Sequence, residues 1–184
     1  MNRRAFVSTL GLIVPGCMGM RTDSETDNED DTIEEIADVQ QDFVVSDDEP
    51  TPEVSVRMRH SPDIIFDPQV AWVEPGGTVT WTNVDGHDGH DTVAYSDRIP
   101  DGAEPWHSEV LGEYERFTHQ FDQEGVYDYY CTPHASWMVG SVIVGTPAPT
   151  DQPALEEPDD NIGAGAQIRA LNELVTTLLE EEAN

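Results

Sequence analysis

The feature that most constrains the fold of this chain is a short segment, Cys131 to Met138, which follows a strand-like run at residues 125–130. The segment presents a thiol, an imidazole and a thioether on Cys131, His134 and Met138. Another imidazole, that of His90, precedes a second strand-like run about forty residues upstream. A cysteine and two histidines in one plane, with a weak axial methionine, are the ligands of a blue-copper site. Such ligands converge only in a folded chain, so the fold has to bring His90 to this segment.

Each of these residues has a simpler interpretation when it is taken alone. A buried cysteine is usually a small hydrophobic residue, and a lone histidine or methionine is usually part of the packing. A structural zinc site is a further alternative. The combination favours copper, because the soft sulfurs suit Cu(I) and the imidazoles suit both oxidation states.

Three segments of the chain resemble the cupredoxins, or type 1 blue copper proteins, and among them the plastocyanin-like halocyanins of halophilic archaea. They are residues 66–83, 90–93 and 125–140, within a predicted cupredoxin domain at 54–145. The resemblance implies an all-β fold, an antiparallel Greek-key β-sandwich. It also implies a carrier of single electrons that holds one copper ion and is not an enzyme.

The resemblance implies that His90, Cys131 and His134 are the planar copper ligands and that Met138 is axial. Three residues separate His134 from Met138, where plastocyanin-like proteins usually have four. The chain therefore departs from the family pattern at the predicted axial ligand. His87 is the competing ligand, but a strand-like run follows His90 directly, as in cupredoxins. Three other histidines carry no such pattern and are interpreted as surface or structural residues: His60, His107 and His119.

The resemblance also assigns supporting roles around the copper ligands. The side chains of Asp91 and Thr132 are expected to hydrogen-bond and tie the two ligand loops together, although both could instead be ordinary exposed polar residues. Asn83 is expected to supply a further loop-fixing hydrogen bond. Pro133 stiffens the loop and removes a competing N–H.

An apolar docking face around the second histidine ligand is a further implication of the family. In this chain His134, Pro133, Ala135 and Trp137 would form that face. The alternative for Trp137 is packing in the core.

Apolar alternation indicates about seven short strands separated by glycine and proline turns, which is typical of a β-sandwich. Pro75-Gly76-Gly77 predicts a turn between two of them. The predicted strands are residues 54–59, 70–73, 78–83, 91–96, 116–121, 125–130 and 138–144, with a long irregular stretch at 97–115.

The chain holds 38 acidic residues against 8 basic ones, all of them arginine, for a formal charge of −30. Residues 54–144 alone hold 15 acids and 4 arginines, so the acidity is not confined to the tails. Such a surface disfavours nucleic acid as a partner, because phosphate binding needs basic patches. It favours a protein adapted to very high salt, where repulsion is screened within about 3 Å at 1 M.

The N-terminal residues read as targeting and tether segments. Residues 1–16 resemble a twin-arginine export signal, and the lipobox-like sequence that ends at Cys17 predicts lipidation of that cysteine. The alternative is ordinary cleavage and a soluble secreted product. Residues 17–53 are predicted to be a disordered acidic stalk, since 22–53 contain 14 acids and no base. These predictions place the domain on the extracytoplasmic face of the cell membrane.

Residues 146–184 are predicted to be a proline-rich linker followed by an amphipathic helix. The helix could pack on its own domain, self-associate or bind a partner. Its apolar positions recur at helical spacing: Ile168, Leu171, Leu174, Val175, Leu178 and Leu179.

The sequence therefore predicts a lipid-anchored copper protein that exchanges single electrons with membrane-bound redox proteins. The alternatives are copper storage or delivery, or a purely structural sandwich. A copper enzyme domain is disfavoured, because no second segment with paired histidines is present and Cys131 is the only cysteine in its loop. The oligomeric state is left open.

Overall fold

The computed structural model describes residues 43–86 and 89–183. The predicted export signal, Cys17, most of the stalk and His87 lie outside the described residues. The described part contains seven strands and one long helix. They are β1 Thr51–Arg59, β2 Ile65–Asp67, β3 Val70–Asn83, β4 Val93–Ala94, β5 Arg116–Phe121, β6 Gly125–Tyr130, β7 Val139–Val144 and α1 Gly165–Glu182.

Strand β3 is the corner of the fold. Its first part, Val70–Val73, pairs with β7, and its second part, Gly77–Thr82, pairs with β5. The turn predicted at Pro75-Gly76-Gly77 is therefore not a chain reversal but a bend inside one long strand. Gly76 has a φ of +86°, and a Cβ on Gly77 would lie 2.8 Å from the Glu74 carbonyl oxygen. A strand that bends from one sheet layer to another is a common way to close a sandwich.

The predicted all-β fold class with a C-terminal helix is confirmed. The strand order is β2-β1-β3-β7-β6-β4, with β5 paired to β3. Four of the strand pairings in the described ranges are antiparallel, whereas β1–β3 and β3–β7 are parallel. The parallel pairs join strands that do not follow each other in sequence, so no hairpin dictates their direction. The sequence analysis missed β2, and β4 is shorter than predicted.

Two apolar clusters hold the layers together. The first lies inside the sandwich, contains large side chains such as Trp81 and Tyr129, and extends to Cys131 and Met138. The second lies between the sheet and α1, whose buried residues include Ile168, Leu171 and Val175, and includes Trp72, Val126, Val139 and Ile143 of the sheet. Of the three alternatives for the helix, packing on its own domain is the one observed.

The segment before β1 belongs to the fold, so the predicted stalk ends too late at residue 53. Phe43 and Val45 are buried in the second cluster, and Val45 forms a β-bridge with Val70. The backbone N–H of Val44 donates to Gln69 Oε1 at 3.1 Å. The disorder prediction is wrong for residues 43–53, because the apolar side chains of Phe43 and Val45 pack on the sheet. No helix in the described ranges has both the length and the apolar character needed to cross a bilayer.

The proline-rich segment is also fixed to the sheet, through a buried ion pair. Arg98 Nε donates to Asp128 Oδ2 at 2.9 Å, and the two side chains are 4% and 2% exposed. The same guanidinium donates to the carbonyl oxygens of Ala154 and Glu156. Burial raises the pKa of Asp128 to about 6, although the positive charge of Arg98 opposes the shift.

Candidate metal centre

The connection between β6 and β7 carries three of the predicted ligands. Cys131 follows the last residue of β6, His134 ends a 3-10 turn, and Met138 precedes β7. Pro133 lies in the first positions of that turn, where its fixed φ is favourable and its missing N–H costs nothing. The N–H of Cys131 donates to the carbonyl of Met138 at 3.0 Å, and the N–H of Met138 donates to that of His134 at 3.0 Å. The loop is therefore closed by its own backbone.

The planar ligands predicted from sequence come together. His90 Nδ1 lies 3.6 Å from Cys131 Sγ, and His134 Nδ1 lies 3.5 Å from the same sulfur. The three potential ligand atoms lie within 4.8 Å of one another, and all three residues are buried. Nitrogen and sulfur ligands at about 2.0 and 2.3 Å from one metal ion, with angles of about 110–120°, would be about 3.5–3.7 Å apart. The spacing therefore fits one ion held by both imidazoles and the thiolate.

The chemistry of the donor set fits copper. Thiolate and imidazole together suit a metal that alternates between a soft and a harder oxidation state. Burial raises the pKa of the Cys131 thiol to about 12, so without a metal the sulfur carries a proton at neutral pH. When the sulfur binds a metal cation it does so as the thiolate, and this proton is released.

The loop that carries His90 is held by the irregular stretch after β4. His90 and Leu111 exchange backbone hydrogen bonds, with N···O distances of 3.3 and 2.7 Å. The Asn83 side chain is buried and donates from Nδ2 to the Leu111 carbonyl at 2.8 Å. Asn83 thus fixes the ligand loop indirectly, through the residue that pairs with His90.

Asp91 links the two ligand loops. It is buried, and its carboxylate accepts a hydrogen bond from the backbone N–H of Thr132 at 2.5 Å. The sequence analysis expected a bond between the two side chains. The group of Thr132 that bonds to Asp91 is instead its backbone N–H, and the Thr132 side chain is exposed. The link therefore depends on the loop conformation and not on the identity of Thr132.

His60 lies beside the site, although the sequence analysis treated it as a surface or structural residue. Its ring centroid is 5.8 Å from that of His134 and 6.4 Å from that of His90. The residue follows β1, and its backbone N–H donates to Asp85. No local motif marks it, because only the strand order places the end of β1 next to the β6–β7 loop. The structural interpretation holds for His119, which stacks on Trp106 at 5.2 Å.

An exposed apolar surface surrounds the second histidine ligand. His134 is only 8% exposed, whereas Trp137 is 48% exposed and its ring centroid lies 6.4 Å from that of His134. Pro133 is exposed and Ala135 is half-buried. Core packing as the alternative for Trp137 is therefore wrong. Val110, which precedes the Leu111 that pairs with His90, is also exposed, at 57%, and the sequence analysis did not single it out.

Met138 is fully buried in the same apolar cluster as Cys131. The 3-10 turn and the backbone hydrogen bonds at His134 accommodate the short spacing between His134 and Met138. The axial role of Met138 stays a prediction.

Replacing Met138 with glutamine should lower the reduction potential of the copper-loaded protein and leave its visible band in place. An oxygen ligand in the axial position favours Cu(II) over Cu(I). A tenfold change in this preference corresponds to about 59 mV for a one-electron couple. Cyclic voltammetry and a visible spectrum test this, and an unchanged potential together with an unchanged spectrum would exclude Met138 as a ligand.

Comparison with known proteins supports a copper site. A protein-family model described as copper binding proteins, plastocyanin/azurin family, matches residues 52–145, a range that contains all four predicted ligands. The chain is 37% identical over 86 residues to the chloroplastic plastocyanin of Tetradesmus obliquus, an alignment that covers 44% of this chain and 59% of that protein. It is 40% identical over 82 residues to the halocyanin of Natronomonas pharaonis, covering 43% of this chain and 47% of that protein. The chain thus spans about three fifths of the first relative and about half of the second.

A solved structure resembles the fold over a longer stretch. The pseudoazurin of Methylobacterium extorquens AM1 superposes with a TM-score of 0.57 at 27% sequence identity. The superposition covers 67% of this chain and 98% of the pseudoazurin. The relatives found by sequence and the protein found by fold are therefore all cupredoxins.

Proposed function

Because the chain belongs to the plastocyanin/azurin family of copper-binding proteins, we propose that it is a type 1 copper protein that carries single electrons between membrane-bound redox proteins. The observation that carries this proposal is the buried group of His90, Cys131 and His134, with both Nδ1 atoms 3.5–3.6 Å from one sulfur. The donor set suits both oxidation states of copper. We propose a carrier and not an enzyme.

Bound copper would supply a one-electron couple between Cu(I) and Cu(II). The protein's contribution is to keep the ligands in one arrangement in both states. The Asp91 carboxylate holds the start of the β6–β7 loop, and Asn83 holds the partner of His90. Outer residues that orient ligands in this way tune a metal site and its affinity.

We further propose that electrons enter and leave beside His134. This ligand is the one next to exposed apolar side chains, those of Pro133 and Trp137. The proposed place of action is the extracytoplasmic face of the membrane, with Cys17 as the lipid anchor. This part of the proposal is supported by the sequence of residues 1–17 alone.

Redox cycling of the copper-loaded protein tests the carrier function against copper storage or delivery. A carrier should bind one copper ion and keep it through repeated oxidation and reduction, with fast electron exchange in both directions. A storage or delivery protein should instead pass copper to a competing Cu(I) chelator at a rate that increases on reduction. Stopped-flow spectroscopy with and without the chelator separates the two, and rapid loss of copper on reduction would contradict the proposal.

Replacing Trp137 with alanine should slow electron exchange with a native redox partner by about tenfold or more, the effect of losing about 1.4 kcal/mol at an interface hot spot. The Debye length is about 3 Å at 1 M salt, so surface acids cannot steer a partner from a distance under those conditions. The measurement is the second-order rate constant in molar salt. Glu109→Gln, a change of one exposed carboxylate, is the control, and an equal loss in that variant would contradict apolar docking.

A further inference from the structure

The C-terminal extension, defined as residues 146–183, contacts the β6–β7 ligand loop. The turn before α1 places Gly163 against Ser136, which lies between His134 and Met138. A Cβ on Gly163 would lie 3.3 Å from Ser136 Oγ and 3.4 Å from Ser136 Cα. Both distances are at or below the limit of ordinary van der Waals contact. An alanine at position 163 therefore requires Ser136 to move by a few tenths of an ångström, and a larger side chain pointing the same way requires more.

The extension is fixed to the strand that leads into the ligand loop. Gln152 Oε1 accepts a hydrogen bond from the N–H of Val126 in β6 at 2.9 Å. Arg98, held by Asp128 of β6, donates to the carbonyl oxygen of Glu156 at 3.1 Å. Asn172 of α1 donates to the same carbonyl at 3.2 Å. The segment before Gly163 and the helix after it are thus tied to β6 and to each other.

The helix also contacts the strand that follows the loop. The apolar cluster between the sheet and α1 contains Val139 and Ile143 of β7. Val139 is the residue directly after Met138. Both ends of the ligand loop, and Ser136 near its middle, are therefore in contact with the extension or with the strands that the extension fixes.

We propose that Gly163 is a positioning residue for the copper site, and that through Ser136 the extension sets the position of the segment between His134 and Met138. The segment is short and internally bonded, since the N–H groups of Trp137 and Met138 both donate to the His134 carbonyl, at 3.1 and 3.0 Å. Displacement at Ser136 is therefore passed to the ligands on either side. This inference rests on the part of the proposed function that assigns a copper ion to His90, Cys131 and His134. It does not depend on which redox partner the protein has.

The test uses the full-length, copper-loaded protein with Gly163 replaced by alanine. The added Cβ should change the ratio of Cu(II) to Cu(I) affinity at least threefold, which is about 28 mV in reduction potential, and should alter the electron paramagnetic resonance spectrum of the oxidised form. Gly163→Val should give a larger change of both. The matched control is Gly165→Ala, where the new Cβ would lie in ordinary contact with the Arg169 guanidinium, at 3.6 Å, and with Pro158 Cγ, at 4.0 Å. This control should keep the wild-type potential and spectrum.

A second substitution at the contact decides whether the effect passes through Ser136. Ser136→Gly removes the Oγ and Cβ atoms that face Gly163, so in the Gly163→Ala background it should return the potential toward that of the Ser136→Gly protein alone. Wild-type potentials in both Gly163 variants would overturn the proposal, and so would an equal shift in Gly165→Ala. A shift that persists unchanged with Ser136→Gly would also overturn it. If Gly163→Val does not fold, Gly163→Ala gives the same decision alone.

Discussion

Replacement of Cys131 with serine is expected to remove the intense visible absorption of the oxidised, copper-loaded protein. The band arises from charge transfer between a thiolate and copper, and a serine oxygen offers no such transition. Cys131 is fully buried at the point where both imidazoles converge. Serine is close to cysteine in size, so the fold should persist. Visible spectroscopy at equal copper loading is the measurement, and an equally intense band in the variant would refute the assignment.

The histidines provide matched controls for the same experiment. His90→Ala should abolish the band, because His90 Nδ1 is one of the three donor atoms. His60→Ala removes a ring of the same kind from the same neighbourhood, but His60 is not part of the donor group. That variant should keep the band, and His87→Ala should keep it too. Loss of the band with His87→Ala and its survival with His90→Ala would mean that the wrong histidine was chosen.

The candidate metal site could be predicted from the sequence because most of its residues are local. Cys131, His134 and the predicted axial ligand Met138 lie within one eight-residue segment, and sulfur and imidazole side chains in that pattern have few other uses. His90 lies outside that segment and was chosen because a strand-like run follows it. His60 was not predictable in the same way. Its distance from His134 depends on the order of the strands, which no short stretch of sequence encodes.

For the residues that support the copper ligands, the role was easier to predict than the atoms through which each residue acts. Asp91 does connect the two ligand loops, but its partner is the N–H of Thr132, which any residue except proline would offer. Asn83 acts on Leu111 and only thereby on His90. The identity of a hydrogen-bond partner depends on backbone positions that are set by long-range pairing.

Local signals also failed where long-range pairing overrides them. Pro75-Gly76-Gly77 has the composition of a reverse turn, yet the residues on its two sides pair with different strands, β7 and β5, and continue in one direction. Acidic composition likewise predicted disorder for residues 43–53. The segment is nevertheless held on the sheet by the buried side chains of Phe43 and Val45 and by backbone hydrogen bonds between residues 44–46 and 69–70.

Replacement of Arg98 with methionine should lower the free energy of unfolding by about 3–5 kcal/mol, the usual cost of breaking a buried ion pair. The substitution would leave the Asp128 carboxylate without its cation. It would also remove the donors to the carbonyl oxygens of Ala154 and Glu156, which fix the C-terminal extension. Both side chains are nearly inaccessible, so salt should screen the pair little. Urea unfolding at constant high salt is the measurement, with a loss below about 1 kcal/mol contradicting the prediction.

The pH dependence of this loss separates an unpaired charge from simple loss of packing. Burial raises the pKa of Asp128 to about 6, against about 3.9 for an unfolded aspartate. The folded state therefore binds this proton more tightly, and the contribution of Asp128 to stability falls as the pH rises from about 4 to 6. Without the Arg98 cation the folded pKa should be higher still, so this fall continues to higher pH. The stability difference between wild type and Arg98→Met should accordingly grow as the pH rises above about 6. The double variant Arg98→Met, Asp128→Asn has no carboxylate at position 128. Its stability difference from wild type should therefore not grow with pH in this way, and part of the stability lost in Arg98→Met should return.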